Sequence, residues 1–130
     1  MQLKAKLVDT ASQLLAQLGD GSRHTVAAAA LTKSNKIVAA LNISHFTGGP
    51  CAEISLLAKL VSENEEPTTM VSIGDSNRGI LAPCGRCRQV LLDYYPSLKV
   101  IMPGGGVKSM QELLPDAYEW FKQPVITVSE

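Results

Sequence analysis

The stretch from Thr68 to Met102 constrains the fold more than any other part of the chain. TTMVSIG (68 to 74) is a short apolar run of strand type, and the polar loop DSNRG follows it. A helical-period segment then extends from about Pro83 to Tyr95, where Pro96 ends it, and LKVIM (98 to 102) is strand-like again. Two strands joined through a helix imply at least one parallel pairing with a right-handed crossover. The chain therefore belongs to the layered α/β class.

The flanking segments fit around that unit. Leu3, Leu7, Val8, Ala11, Leu14, Leu15 and Leu18 recur at spacings of three and four, which puts them on one face of a first helix that Gly19, Asp20 and Gly21 stop. TVAAAAL (25 to 31) and KIVAALNI (36 to 43) read as a hairpin about the polar turn Thr32 to Asn35, although the alanines themselves favour helix. Thr47 to Pro50 forms a turn, and a second helix runs from Cys51 to about Asn64. After a loop at Gly104 to Gly106 come a short segment, Ser109 to Leu114, and the aromatic residues Tyr118, Trp120 and Phe121. With 130 residues, no repeat and no linker, the expectation is a single domain over residues 1–130.

Composition narrows the function. Twelve Lys and Arg balance twelve Asp and Glu, so the chain lacks the basic field that would hold a nucleic acid backbone. No stretch approaches the roughly 20 apolar residues of a membrane span. Lys4, Lys6 and Asp9 interrupt the N-terminal apolar residues, so there is no signal-peptide core and a cytoplasmic location is expected. Three cysteines cannot pair completely, and a chain of this size folds without staples, so metal or thiol chemistry is the better reading.

Cys84 and Cys87 form a CxxC pair that can reach one ion from a single turn, and Cys51 can complete three sulfur ligands from another element. A structural zinc has four protein ligands, whereas a catalytic one keeps a position open. Three cysteines without paired histidines favour the open kind, with His24 and His45 the only candidates for a fourth ligand. A lone CxxC is equally compatible with redox or buried thiols; the additional residues around Cys51 decide for metal. Pro50 and Pro83 each precede a cysteine, which places Cys51 and Cys84 in helical first turns where the dipole favours thiolate. Arg86 and Arg88 flank Cys87 and could offset three thiolate charges by hydrogen bonding to sulfur. Glu53, two residues after Cys51, would project toward the open position as a general base. One ligand, a skipped residue, a glutamate and then PCxxC is the pattern of zinc-dependent nucleobase deaminases.

HFTGGPCAE (45 to 53), NRGILAPCGRCRQVLLD (77 to 93) and ELLP (112 to 115) resemble the blasticidin S deaminases of the cytidine deaminase superfamily, from about Val26 to Trp120. The resemblance implies a three-layer α/β/α fold with a central five-stranded mixed sheet. It implies zinc on Cys51, Cys84 and Cys87, Glu53 as proton shuttle, and hydrolytic deamination at C4 of a cytosine nucleoside. Asn42 matches an asparagine that contacts the sugar. Cytidine deaminases follow that asparagine, two positions on, with a glutamate for the ribose hydroxyls, and here the residue is Ser44. Arg78 is then a candidate partner for a substrate carboxylate, and Tyr118 and Trp120 match the aromatic end of the family. Relatives with three cysteine ligands are homotetramers, so a homotetramer is expected. Ordinary cytidine deamination and a zinc-stabilised binding module without turnover are the alternatives.

Overall fold

The chain is described by a computed structural model over residues 3–119; Trp120, one of the residues matched to substrate binding, lies outside the described residues, as does Phe121. The order of elements is α1 (Leu3–Leu18), β1 (Val26–Thr32), β2 (Ile37–Leu41), α2 (Ala52–Ser62), β3 (Pro67–Gly74), β4 (Gly79–Leu81), α3 (Gly85–Tyr94), β5 (Lys99–Ile101), β6 (Val107–Ser109) and α4 (Met110–Leu113). The strands form one mixed sheet in the order β2-β1-β3-β5-β6. β3 and β5 are parallel and the other neighbours antiparallel.

Among the described residues the sheet has six strands where five were expected. β3 is long enough to share one edge. Thr69 and Met70 pair with β5, while Ser72 to Gly74 pair with β4 after a turn in which Ser76 and Asn77 both take positive φ. β4 and β6 have three residues each and neither stands out in the sequence. GIL runs on into the Ala-Pro before Cys84 and VKS is mostly polar, whereas the equally short β5 lies inside the apolar run LKVIM.

The alanine run resolves as strand for a packing reason. Ala27, Ala28, Ala29 and Ala30 are all completely buried, and their side chains alternate between two cores. Ala27 and Ala29 join Leu7, Ala11, Val71 and Ile101 under α1. Ala28 and Ala30 join Leu56, Leu60, Leu91 and Met110 under α2, α3 and α4. A central strand covered on both faces reads as a continuous apolar run, and methyl side chains let helices approach closely from either side. The result is the three-layer α/β/α arrangement.

Candidate metal centre and its rim

Cys51 and Cys84 are built into the same local device. Each is the N-cap of its helix, with extended backbone angles of φ −62°, ψ 162° at Cys51 and φ −70°, ψ 170° at Cys84. Pro50 and Pro83 consequently stand one position before the cap, outside the helix, and the two cysteines cap their helices rather than lying inside the first turns as expected. Neither side chain makes a capping hydrogen bond of good geometry, and Cys84 meets its own helix only through the approach of the Cys87 backbone N–H to its sulfur, so both sulfurs remain available. Cys87 lies one turn into α3 and is fully buried, Cys51 is half-buried, and Cys84 is exposed.

The three Sγ atoms lie within 4.8 Å of one another, and those of Cys51 and Cys84 are 3.7 Å apart. A tetrahedral ion with zinc–sulfur bonds of about 2.3 Å sets its sulfurs about 3.8 Å apart, so the Cys51–Cys84 pair is already at zinc spacing and the third sulfur has at most about 1 Å to close for the set to hold zinc. No histidine joins it among the described residues. His24 Nδ1 is 2.8 Å from Asn42 O, and His45 Nδ1 is paired with Thr47 Oγ1. Three sulfurs leave one tetrahedral position for water or substrate.

Glu53 is only 6% exposed, and the Cys87 thiol donates to its Oε1 at 3.8 Å. The carboxylate therefore lies against the cluster rather than in solvent. Electrostatics without metal differ from the symmetrical expectation for two helix ends. At Cys84 burial pushes the thiol up, but hydrogen bonds from the Cys87 backbone N–H and the neighbouring thiols outweigh it, and the net direction is down. Burial, followed by the hydrogen bond with Cys84, pushes the Cys51 thiol up. Burial, followed by the Glu53 charge, pushes Cys87 up strongly. A dication at this point reverses that balance, since coordination removes thiol protons.

Cys51 reaches the cluster through a closed loop. Ile43 N donates to Pro50 O at 3.0 Å, joining the two ends of residues 43–50, and Gly48 takes φ +97° inside it. At Gly49 any Cβ would sit 1.6 Å from the Ile43 carbonyl oxygen, so only glycine fits the close approach. The GGP sequence thereby brings Cys51 next to the end of β2, where Asn42 begins the rim.

The rim residues bind one another. Asn42 Oδ1 accepts from Thr25 N at 2.7 Å and Val26 N at 3.0 Å, and its Nδ2 donates to Thr25 Oγ1 and Ser44 Oγ, both at 3.3 Å. Arg78 Nη2 donates to Thr25 O at 3.0 Å and pairs with Asp75 Oδ1 at 2.9 Å. Asn42 and Arg78 thus meet through Thr25, which the sequence reading missed and which carries no sequence signal of its own. Asp75 was missed too, although its i, i+3 spacing from Arg78 was visible.

The remaining candidates are arranged differently from expectation. Neither Arg86 nor Arg88 hydrogen-bonds a cysteine sulfur. Arg86 is exposed and bonds no other described residue, whereas Arg88 donates to the backbone oxygens of Pro83 and Leu113. The reason is geometric: the cysteine sulfurs face Glu53 and each other across the helix starts, and the nearest acceptors along the Arg88 side chain are carbonyls. Tyr118, 69% exposed, lines a concavity of about 400 Å³ with Leu92, Asp93, Pro96 and Leu114, and none of the cysteines, Glu53 or Asn42 borders it. Within the single chain, the concavity lined by Tyr118 is therefore not shared with the cysteine cluster.

Comparison with known proteins agrees with this geometry. Residues 1–102 match the family described as the cytidine and deoxycytidylate deaminase zinc-binding region. The blasticidin-S deaminase of Bacillus cereus is 30% identical over 130 residues, covering 90% of this chain and 93% of that protein. The cytidine deaminase of Mycobacterium tuberculosis is 34% identical over 99 residues, covering 75% of this chain and 74% of that protein. The crystal structure of cytidine deaminase from Mycobacterium tuberculosis superposes with a TM-score of 0.77 at 29% identity, over 91% of this chain and 98% of that one. With three sulfurs clustered where they could hold zinc and a buried carboxylate beside them, the chain belongs to the cytidine and deoxycytidylate deaminase family of zinc-dependent hydrolases.

Proposed function

We propose that this chain, acting as one domain over residues 1–130, deaminates the cytosine ring of a nucleoside whose sugar departs from ordinary ribose, of the blasticidin S kind. The observation that carries the reading is Ser44. Its hydroxyl accepts from Asn42 Nδ2 at the rim, where a cytidine deaminase would present a glutamate to the ribose hydroxyls. The likeness to a blasticidin-S deaminase over 90% of the chain supports the same substrate class.

Cys51, Cys84 and Cys87 hold the zinc. Zinc bound there supplies a Lewis acid that lets water lose a proton near neutral pH. Glu53 takes a proton from the attacking water on its carboxylate and delivers it to ring N3 as the remaining hydroxide adds at C4. It then moves the proton of the new C4 hydroxyl to the amine, so that the C4–N bond breaks, ammonia leaves and the C4 carbonyl forms. Its burial against Cys87 keeps the carboxylate within reach of the reacting centre and away from bulk water. Asn42 holds the start of β1 and the sugar side of the site, Arg78 faces a substrate carboxylate, and Tyr118 and Trp120 contribute from the C-terminal end. The free thiols suit a reducing compartment such as the cytoplasm. The loop carrying Ile43 and the 95% exposed Phe46 supports assembly into a homotetramer, with neighbouring subunits covering these side chains.

A second reading, ordinary cytidine or deoxycytidine deamination, is favoured by the Arg78–Asp75 pair, because a paired guanidinium is less available to a substrate carboxylate. An ultraviolet assay of blasticidin S, cytidine and deoxycytidine separates the two. Faster turnover of blasticidin S, with kcat/KM above that for cytidine, supports the first reading; a preference for cytidine overturns it. Light scattering on the eluted protein tests the tetramer.

A further inference from the structure

α3 begins at the cysteine turn, and just past Cys87 it carries two side chains that leave the helix for backbone carbonyls elsewhere. Arg88 Nε donates to Pro83 O at 2.8 Å, and its Nη1 donates to Leu113 O at 3.0 Å. Gln89 Nε2 donates to Tyr118 O at 2.9 Å and to Asp93 Oδ2 at 3.0 Å. Pro83 is buried and immediately precedes Cys84. Leu113 ends α4, and the last carbonyls of a helix have no partner within it, so a guanidinium there satisfies an orphan acceptor. One planar side chain thus joins the turn before a metal ligand to the end of the element that launches the C-terminal segment. Its neighbour then fixes that segment five residues further on.

We infer that Arg88 and Gln89 are positioning residues that hold residues 114–119 in register with the Pro83–Cys84 turn. The two have different reach. Arg88 grips the cysteine turn and the C-terminal segment together, whereas Gln89 grips the C-terminal segment alone. A guanidinium is needed at Arg88, because its two acceptors belong to different segments and a lysine ammonium lacks the two separate, rigidly spaced nitrogens that reach both. Only the kinetic consequence rests on the deaminase reading; the consequences for zinc retention and backbone protection do not.

The test uses zinc-loaded protein as Arg88→Ala, Arg88→Lys and Gln89→Ala. Three quantities are followed: zinc release to a chelator, hydrogen exchange of the amides in residues 114–119, and kcat and KM for the better of blasticidin S and cytidine. Arg88→Ala is expected to weaken zinc retention by roughly 10-fold to 100-fold, as loss of a group supporting a metal ligand does, and to raise exchange in 114–119. Arg88→Lys should recover part of one effect but not both, and it carries the test if the alanine variant does not fold. Gln89→Ala should leave zinc release and kcat at the wild-type level while KM rises by roughly 3-fold to 10-fold, the size of one lost hydrogen bond, and exchange in 114–119 increases. Unchanged zinc release in both Arg88 variants overturns the inference, as does a Gln89→Ala protein with unchanged exchange in 114–119 or with zinc release accelerated like that of Arg88→Ala. If the wild-type protein turns over neither substrate, the proposed substrate fails, while zinc release and exchange still decide the role of these two residues.

Discussion

The cysteine cluster and the rim beyond β2 are adjacent, yet they are built in opposite ways. The cluster uses two rigid helix starts anchored over a buried core, with Ala52, Leu56 and Leu91 fully buried on the same helices. Two of its sulfurs are already at zinc spacing and the third is close by, and its reactive side chains bond mainly to one another. The rim consists of chain ends and turns, and its polar groups bind each other: Asn42 with Thr25 and Ser44, Arg78 with Asp75 and Thr25. A rigid centre with an adaptable rim is the arrangement expected when the chemistry is fixed and the substrate's outer part varies.

Four tests sharpen that contrast. The largest effect is expected from Cys87→Ser. It removes a zinc ligand and leaves a hydroxyl where the native side chain is fully buried, so zinc and activity should be lost, with a stability decrease of about 1 to 3 kcal/mol beyond that of Cys84→Ser at the exposed ligand. Metal analysis and thermal melts of the two variants check it. Equal melting temperatures would mean that burial does not distinguish the ligands.

Glu53→Gln keeps the side-chain size and removes the proposed base. Turnover is expected to fall by roughly 100-fold to 10,000-fold with zinc content and fold retained. Near-wild-type turnover would end its catalytic assignment.

The rim should respond by a smaller step and in specificity rather than in rate. Ser44→Glu gives the rim the acidic residue of the cytidine deaminases and is expected to move the ratio of kcat/KM for cytidine over blasticidin S upward by about 10-fold, the worth of one good hydrogen bond. Competition between the two substrates in a single reaction measures the ratio.

The smallest effect concerns the turn that supports the rim. Asp20 Oδ1 accepts from the N–H groups of Ser22, Arg23 and His24 at 2.8 to 2.9 Å, and Arg23 O in turn accepts from Ser44 N. Backbone donors, that of His24 foremost, hold the Asp20 carboxyl below its ordinary value of 3.8, at about 2. A carboxylate with a lowered folded-state pKa stabilises fully above its unfolded value, and that contribution is lost as pH falls through the folded one. The advantage of wild type over Asp20→Asn in urea midpoint should therefore be constant above about pH 5 and shrink between about pH 4 and pH 2. A gap that is flat across that window would show that Asp20 does not hold the turn through its charge.

Legibility in the sequence followed the range of the interactions. CAE and PCxxC specify ligands through spacings of a few residues within helix starts, so Cys51, Glu53, Cys84 and Cys87 could be named and are found together. Helical periodicity likewise marked α1, α2 and α3 to within two residues at most ends. The two arginines beside Cys87 were equivalent in sequence. Only the fold separates them, leaving Arg86 exposed and turning Arg88 toward carbonyls 5 and 25 residues away.

By itself, then, the sequence determined the α/β class, the three thiols, the glutamate and the family, because periodicity, helix starts and ligand spacing are local properties. Tertiary structure decided the rest. It made a strand of the alanine run by covering both its faces, divided one edge of β3 between β4 and β5, and joined Asn42 to Arg78 through Thr25. In each case the deciding partner lies on another element, and backbone hydrogen bonds and close packing between distant segments exist only after the chain has closed on itself.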